Sequence, residues 1–306
     1  MKITVIGAGA TGGYFGARLA ESGLDVTFLV RQNRANQLKA NGLVVKSVLG
    51  DLTIKDPQIA LDPKDIPACD LVLLCLKNYQ LAACFPQLKE LVSKGAKILP
   101  LLNGIEHFEI LIKEFGEENV VVGNCKINST LDADGTILHT NKLHKLIFGE
   151  NTPAQAGFCL QFNEAIAKAN LDVTYSKDIW VEIWIKYAFI TVFSGVTTAG
   201  NLTTDLIYQN EATREMFRRG LDEMNGLAAA YGVKLPENYV SSNIDSLGKY
   251  PKGTTTSMHQ DLKKGLPLEV ESLQGAAIRF AARKNMKLPI IETLYSLIKP
   301  NEYPLN

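Results

Sequence analysis

The sequence lacks an excess of either charge, because 32 Lys and Arg residues balance 32 Asp and Glu residues over 306 positions. A balanced charge with a pI near 6.9 argues against nucleic acid or a membrane surface as the main partner. Histidine and cysteine are also scarce, with four and five copies. They form no C-x-x-C pair and no spacing typical of metal ligands. We therefore expect reduced cysteines that serve packing, and no metal site.

The sequence also lacks an evident targeting segment. No apolar run reaches the length of a membrane span, and Lys2 followed directly by a strand pattern is not typical of a signal peptide. These absences predict a cytoplasmic protein without a membrane partner. The length suffices for two domains, and the 46% of apolar residues suffices for a full core.

The N-terminal stretch carries the clearest pattern in the chain. Residues 3–6 predict a buried strand, and a helical apolar pattern begins directly after the turn Gly7-Ala8-Gly9-Ala10-Thr11-Gly12. In such a turn Gly7 permits the tight bend, Gly9 lets the backbone approach a pyrophosphate, and Gly12 lets helix and strand pack closely. A second strand pattern follows at 25–30. This context predicts a dinucleotide-binding unit.

The residue after the second strand indicates which dinucleotide is bound. An acidic residue there holds the ribose 2′-hydroxyl of NAD, whereas a basic residue suits the 2′-phosphate of NADP. Arg31 occupies this position, and Arg34 follows it. A guanidinium fork matches a phosphate, so we expect NADPH. The alternative is that both arginines are solvated charges at a helix start.

The order of patterns along the chain predicts its architecture. Strand and helix alternate through the first half, which is typical of an α/β protein with a doubly wound parallel sheet. Residues 119–123 predict a further strand of that sheet, and 131–149 an antiparallel extension. Helical patterns dominate after residue 179. We therefore expect a Rossmann-type, NADP-binding domain at 1–176, followed by an all-helical substrate and catalytic domain at 177–306.

A lysine stands out in the first helix of the second half. This helix pattern, which starts at Ile179, is apolar nearly all round except for Glu182 and Lys186. A lysine in an apolar stripe loses hydration, which favours its neutral form and suits a proton donor near pH 7. Reducing a ketone requires such a donor. The alternative is a Glu182–Lys186 surface pair one helical turn apart, and the residues alone leave both open.

Further polar residues lie at the ends of predicted elements. Lys77 and Asn103 directly follow apolar strands, and the carboxyl ends of parallel strands are where ligands bind in open α/β sheets. Ser257 is placed to cap a helix, and Glu269 to lie in the first turn of another. A serine-capped helix start can hold a carboxylate. Ordinary turn and capping chemistry is the alternative in each case.

Taken together, these residues resemble the ketopantoate reductase (2-dehydropantoate 2-reductase) family over essentially the whole chain. The set in this order is more specific than any single member. The matching motifs are Gly7-x-Gly9-x-x-Gly12, Arg31, Cys75-Leu-Lys77-x-Tyr79-Gln80, Leu102-Asn103-Gly104, Gly135-x-Ile-x-His139, Phe148-Gly149-Glu150, Trp184-x-Lys186, Thr256-Ser257-Met258-x-x-Asp261 and Pro267-x-Glu269.

The resemblance implies NADPH-dependent reduction of a small 2-keto acid, ketopantoate to pantoate, in pantothenate biosynthesis. By the same resemblance Lys186 is the general acid and Glu269 binds and orients the substrate's oxygens. Ser257 contacts the substrate, Asn103 lies between cofactor and substrate, and Lys77 lies near the nicotinamide.

The sequence departs from the family on the substrate side only. Ile190, Ser194 and Thr254 stand where family members carry asparagines, and Leu268 where threonine is frequent. Each lost partner of a substrate hydroxyl should cost about 1–3 kcal/mol of binding. A reductase of a more apolar 2-keto acid is therefore an alternative. So is a non-catalytic NADPH-binding regulator, although Lys186 and Glu269 are retained. Whether the protein is a homodimer is not decided by the sequence.

Overall fold

The computed structural model describes residues 1–303, which form two compact units. The first unit comprises Met1–Leu102 and His107–Ile179, and the second comprises Asn103–Glu106 and the chain from Trp180 onward. The two units are described separately below. The domain boundary after residue 176 stays a prediction.

The centre of the first unit is a five-stranded parallel sheet. Its strands lie in the order β5-β2-β1-β6-β7, so the strand order reverses between β1 and β6. This confirms the doubly wound sheet predicted from the alternating pattern. The bounds are β1 (Lys2–Ile6), β2 (Asp25–Leu29), β5 (Gln58–Ala60), β6 (Leu71–Leu74) and β7 (Lys97–Pro100).

Helices accompany this sheet because its central strands are apolar on both faces. Every residue of β6 is buried, as is every residue of β1 after Lys2, which is the burial expected for covered parallel strands. The helices of this part of the chain are α1 (Ala10–Glu21), α2 (Gln32–Asn41), α3 (Phe85–Ser93), α4 (Glu106–Phe115) and α5 (Ala156–Ala165).

A second sheet corrects one expectation. Residues 119–123 were expected to extend the parallel sheet, but Val120 makes only an isolated parallel bridge to Ile98. The strand proper, β8 (Val122–Leu131), pairs antiparallel with β9 (Ile137–Gly149). A short turn joins these two strands, so their pairing closes only a small loop. β3 (Leu43–Ser47), β4 (Leu52–Ile54) and β10 (Asp172–Tyr175) complete the sheet in the order β10-β9-β3-β4.

Two histidines of β9 pack on α1 and β3. The Tyr14 hydroxyl lies 3.0 Å from Nδ1 of His144, and the Tyr14 and His139 rings lie 4.6 Å apart. Nε2 of His139 lies 3.0 Å from the Leu143 carbonyl oxygen, and its Nδ1 lies 2.8 Å from Oγ of Ser47. Because a carbonyl only accepts, His139 donates through Nε2 and accepts from Ser47 through Nδ1. The cluster therefore fits a neutral His139.

This cluster predicts a loss of stability in mild acid. Burial lowers the pKa of both His139 and His144, and the nearby Arg18 guanidinium lowers it further. The unfolded chain therefore binds protons below about pH 6.5 that the folded chain rejects. Stability present above that pH is lost as the pH falls through it. We expect the urea midpoint to drop between about pH 7.5 and about pH 5.5.

The double variant His139→Gln/His144→Gln separates this cluster from other groups. Its urea midpoint should depend less steeply on pH than that of the parent protein. Burial also lowers the pKa of His259, so some slope should remain in both proteins. An identical slope in parent and variant would contradict the role given to the two histidines.

The second unit is helical, as predicted. Its first helix, α6 (Ile179–Gly200), is long and apolar enough to cross a membrane by length and composition, and the earlier expectation that no segment is long enough was wrong. Buried residues make up 61% of the window, as in the core helix of a globular domain. The remaining helices are α7 (Thr204–Gln209), α8 (Glu211–Ala230), α9 (Tyr239–Leu247), α10 (Ser257–Lys263), a π-helical turn (Glu271–Gly275), α11 (Ala276–Arg283) and α12 (Pro289–Ile298).

Candidate active site

The glycine-rich turn connects β1 to α1 beside the point where the strand order reverses. Gly7 has a φ of +92°, and a Cβ there would clash with the Cys75 carbonyl group. A Cβ at Gly12 would clash with the Gly7 oxygen, so this position packs α1 tightly on the turn. At Gly9, in contrast, an added Cβ would meet no atom within 4 Å. The turn is closed towards the sheet and open above Gly9.

The start of α1 leaves N–H groups for a ligand. Gly9 is the N-cap and provides no side-chain hydrogen bond, and the first turn, with Ala10 and Thr11, contains no acidic residue. Leading N–H groups and the positive end of the helix dipole attract phosphate oxygens. The turn therefore fits the pyrophosphate of a dinucleotide, with the space above Gly9 as the approach.

Arg31 and Arg34 have different environments. Arg31 is the N-cap of α2, just after β2, and is exposed. Arg34 is half-buried, and its Nε donates to the Ala8 carbonyl oxygen at 2.9 Å. Its Nη1 donates to the Gly135 carbonyl oxygen at 2.9 Å. The view of Arg34 as a solvated charge is therefore wrong. It braces the glycine-rich turn against the β8–β9 hairpin, and sequence spacing gave no signal for this role.

These two hydrogen bonds predict that Arg34→Met weakens the binding of NADPH and of NADH to the same extent. Loss of the two bonds should loosen the turn at Ala8, which we expect to contact the pyrophosphate shared by NADPH and NADH. We expect both Kd values to rise by a similar factor of about 10, as for one lost charge-assisted hydrogen bond. Fluorescence titration with each cofactor measures this. A loss confined to NADPH would show that Arg34 binds the 2′-phosphate instead.

Lys77 follows β6, the strand next to β1, three residues after its carboxyl end. It is half-buried, and its backbone N–H donates to Oε1 of Gln80 at 3.3 Å, which starts a short 3₁₀ turn. Since β6 and β1 are hydrogen-bonded neighbours, Lys77 and the glycine-rich turn leave the sheet at the same edge. This location fits a residue that contacts bound dinucleotide.

Lys186 lies in the middle of α6 and is half-buried. Within residues 1–303 it forms no ion pair, so the surface pair with Glu182 is not formed. Its neighbour Tyr187 is buried, and the Tyr187 hydroxyl donates to the Leu273 carbonyl oxygen at 2.9 Å. Lys186 is therefore available for another partner, on a helix fixed by its neighbour.

Glu269 and Asn103 come together in the second unit although 166 positions separate them. The Glu269 carboxylate is buried, with 5% of the residue exposed. Nδ2 of Asn103 donates to its Oε2 over 3.4 Å, a long hydrogen bond. Glu269 lies two residues before the π-helical turn, and its carbonyl oxygen accepts from the Leu273 N–H at 3.2 Å, so it stands at the start of this helix. Single π turns frequently accompany functional sites.

Ser257 is not the helix cap expected from the sequence. The N-cap of α10 is Thr256, whose Oγ1 accepts from the His259 N–H at 3.4 Å. Thr256 is buried, and its hydroxyl lies 2.8 Å from Oγ1 of Thr197 on α6. Ser257 is the first helical residue and is exposed. The buried position next to α6 favours Thr256 as the cap and leaves the Ser257 hydroxyl at the surface.

Comparison with known proteins decides the family. Residues 3–153 match the family described as Ketopantoate reductase PanE/ApbA, and residues 178–302 match Ketopantoate reductase PanE/ApbA C terminal. The chain belongs to the ketopantoate reductase family. This family uses NADPH and acts on small keto acids, so the protein is an NADP-dependent oxidoreductase. The alternative of a non-catalytic regulator is not supported.

Relatives match over nearly the full length. The chain is 33% identical to the uncharacterized oxidoreductase YkpB of Bacillus subtilis, covering 99% of both chains. It is 26% identical to a 2-dehydropantoate 2-reductase of Nostoc, covering 97% of this chain and 94% of the relative. The crystal structure of 2-dehydropantoate 2-reductase from Geobacter metallireducens has a TM-score of 0.92 at 28% identity, covering 98% of this chain and 99% of that one.

This chain lacks asparagine at three positions where ketopantoate reductases carry it, and the three replacements have different surroundings. Ser194 is buried, and its Oγ accepts from Nε2 of Gln274 at 3.1 Å. The Thr254 hydroxyl donates to the Pro251 carbonyl oxygen at 2.6 Å. Ile190 is half-buried and apolar. None of the three presents an amide, and Ser194 is already hydrogen-bonded within the protein.

Proposed function

We propose that this enzyme reduces ketopantoate to pantoate with NADPH, in the cytoplasm, as a step of pantothenate biosynthesis. The observation that carries the proposal is the buried Glu269 carboxylate beside the Asn103 amide, on the unit that holds Lys186. An ionised carboxylate only accepts hydrogen bonds, so it suits a substrate hydroxyl. Ketopantoate carries a hydroxyl besides its 2-keto acid group.

Each residue has a defined part in this reaction. NADPH, when bound, supplies the hydride for the keto carbon. Lys186 donates a proton from Nζ to the keto oxygen, which yields the 2-hydroxy acid. Glu269 accepts a hydrogen bond from the substrate hydroxyl, and Asn103 donates its amide N–H to a substrate oxygen. The Ser257 hydroxyl donates to the substrate carboxylate. These contacts hold the keto acid for transfer.

Apart from Asn103, which lies between cofactor and substrate, the proposed cofactor contacts belong to the first unit. The N–H groups at Gly9, Ala10 and Thr11 bind the pyrophosphate, and Arg31 pairs with the 2′-phosphate. Lys77 lies near the nicotinamide end. Support comes from the exposed guanidinium at the end of β2 and from the open space above Gly9.

A more apolar 2-keto acid is the second candidate. It is favoured by Ile190 and by the Ser194 hydroxyl, which is engaged with Gln274 rather than open to a ligand. If these positions line the substrate, they offer it methyl groups where other family members offer amides. Such a site would gain little from a substrate hydroxyl.

One pair of substrates separates the two candidates. Trimethylpyruvate is ketopantoate without its hydroxyl, and NADPH oxidation gives kcat/KM for both. We expect ketopantoate to be preferred by about 10-fold or more, as for one buried hydrogen bond to a charged group. In Glu269→Ala the preference should disappear. Equal or better use of trimethylpyruvate by the parent protein would favour the apolar substrate, and no turnover of any 2-keto acid with intact NADPH binding would reject the proposal.

A further inference from the structure

A cluster of charged side chains connects the segment that carries Asn103 to the segment that carries Glu269. Arg279 of α11 donates from Nε to Oε1 of Glu106 at 2.8 Å and from Nη2 to Oε2 at 2.7 Å. This is a bidentate pair, the strongest geometry for arginine and a carboxylate. Glu106 lies three residues after Asn103 and belongs to the same unit.

The same guanidinium also holds the start of the π-helical turn. Nη1 of Arg279 donates to Oε2 of Glu271 at 2.8 Å, and Nη2 donates to the Glu271 carbonyl oxygen at 2.8 Å. Glu271 lies two residues after Glu269. Tyr295 and Lys299 also donate to Oε1 of Glu271, at 2.6 and 2.5 Å. One arginine therefore joins the backbone segments of both proposed substrate residues.

The turn at Gly104 shows how closely these segments approach. Gly104 has a φ of +91°, and a Cβ there would lie 2.5 Å from the Ser272 carbonyl oxygen. Asn103 therefore lies next to a turn that leaves no room for a side chain, and Glu106, two residues after Gly104, pairs with Arg279. A small shift of Glu106 would move the Asn103 amide relative to the Glu269 carboxylate.

We infer that Arg279 is a positioning residue for the reduction, which sets the Asn103 amide against the Glu269 carboxylate by clamping Glu106 and Glu271. The inference rests on the proposed function for its kinetic consequences, but not for its geometry. The Arg279 side chain is 43% exposed, so solvent screens its ion pairs and their contribution to global stability is small. The main effect of Arg279 is on the position of the Asn103 amide relative to the Glu269 carboxylate.

Kinetics of Arg279→Gln test the inference against the matched control Arg218→Gln. Arg218 is 42% exposed and pairs with Glu215 and Asp222 on α8, away from Asn103 and Glu269 in sequence and element. We expect Arg279→Gln to lower kcat/KM for the keto acid by about 10-fold, with an unchanged Kd for NADPH, because small misplacements of reacting groups are costly. The control should retain its activity.

A double-mutant cycle distinguishes positioning from general damage. If Arg279 acts through Asn103, then Arg279→Gln should cost less than about 2-fold in an Asn103→Ala background. A full 10-fold cost in that background would overturn the inference.

A measurement without turnover keeps the inference separate from the proposed function. In protein labelled with ¹⁵N asparagine, the side-chain amide signal of Asn103 is identified by its loss in Asn103→Ala. It should shift or broaden in Arg279→Gln and stay unchanged in Arg218→Gln. An unmoved signal in Arg279→Gln would overturn the inference, whether or not the parent protein reduces a 2-keto acid.

Discussion

Lys186→Met should lower kcat for the 2-keto acid by roughly 10²- to 10⁴-fold, the usual contribution of a general acid. The Kd for NADPH should not change, because the glycine-rich turn and Arg31 belong to the other unit. Methionine keeps much of the length of lysine and suits the apolar surroundings of α6, so the fold should be retained. Stopped-flow or steady-state NADPH oxidation, with a parallel binding titration, measures both quantities.

One further variant, with a control, identifies what Lys186 contributes. Lys186→Arg keeps the positive charge but cannot release a proton near neutral pH, since arginine stays protonated in proteins. If the lysine donates a proton, this variant should be nearly as slow as Lys186→Met. If the lysine acts only by its charge, it should keep much of the activity. Lys234→Met changes an exposed lysine after α8 and serves as the control, with parent-like kcat.

Arg31→Ala should raise the Kd for NADPH by about 10- to 100-fold and that for NADH by less than about 3-fold. Only NADPH carries a 2′-phosphate, and a guanidinium fork pairs with a phosphate through charge-assisted hydrogen bonds. Arg31 is exposed and forms no ion pair within residues 1–303, so its removal breaks no ion pair of the free protein. Fluorescence titration with both nucleotides gives the ratio.

Lys39→Ala is the control for Arg31→Ala, because Lys39 is an exposed cation of the same helix. It should change neither Kd by more than about 2-fold, as expected for a screened surface charge. Equal losses for NADPH and NADH in Arg31→Ala would contradict the 2′-phosphate contact. They would resemble the effect expected for Arg34→Met, which acts on the turn shared by both nucleotides.

The architecture of the first unit was largely readable from the sequence. Parallel strands covered on both faces appear as short apolar runs, and the runs at residues 3–6 and 71–74 are buried strands. The prediction failed at residues 119–123, where an apolar run next to a turn fits a parallel strand and a hairpin strand equally well. Pairing partners decide between the two, and a single sequence does not contain them.

What the sequence by itself determined is the glycine-rich turn and the position of Arg31, on which the proposed nucleotide site rests. The strand, the three glycines and the helix start are contiguous, and Arg31 ends the neighbouring strand, so local backbone chemistry suffices to define them. The sequence also singled out Lys186, as one of two charges on an otherwise apolar helix, and its role in catalysis stays a prediction.

Only the tertiary structure decided which residues come together in the second unit, where the proposed substrate residues lie. Asn103 meets Glu269 across 166 positions, Arg279 reaches Glu106 across 173, and Ser194 is occupied by Gln274. Such pairs depend on how helices pack and which polar atoms must be satisfied on burial, and these conditions leave no periodicity in the chain. The same reason explains Arg34, whose side chain looked solvated on its own helix and instead braces the glycine-rich turn at Ala8.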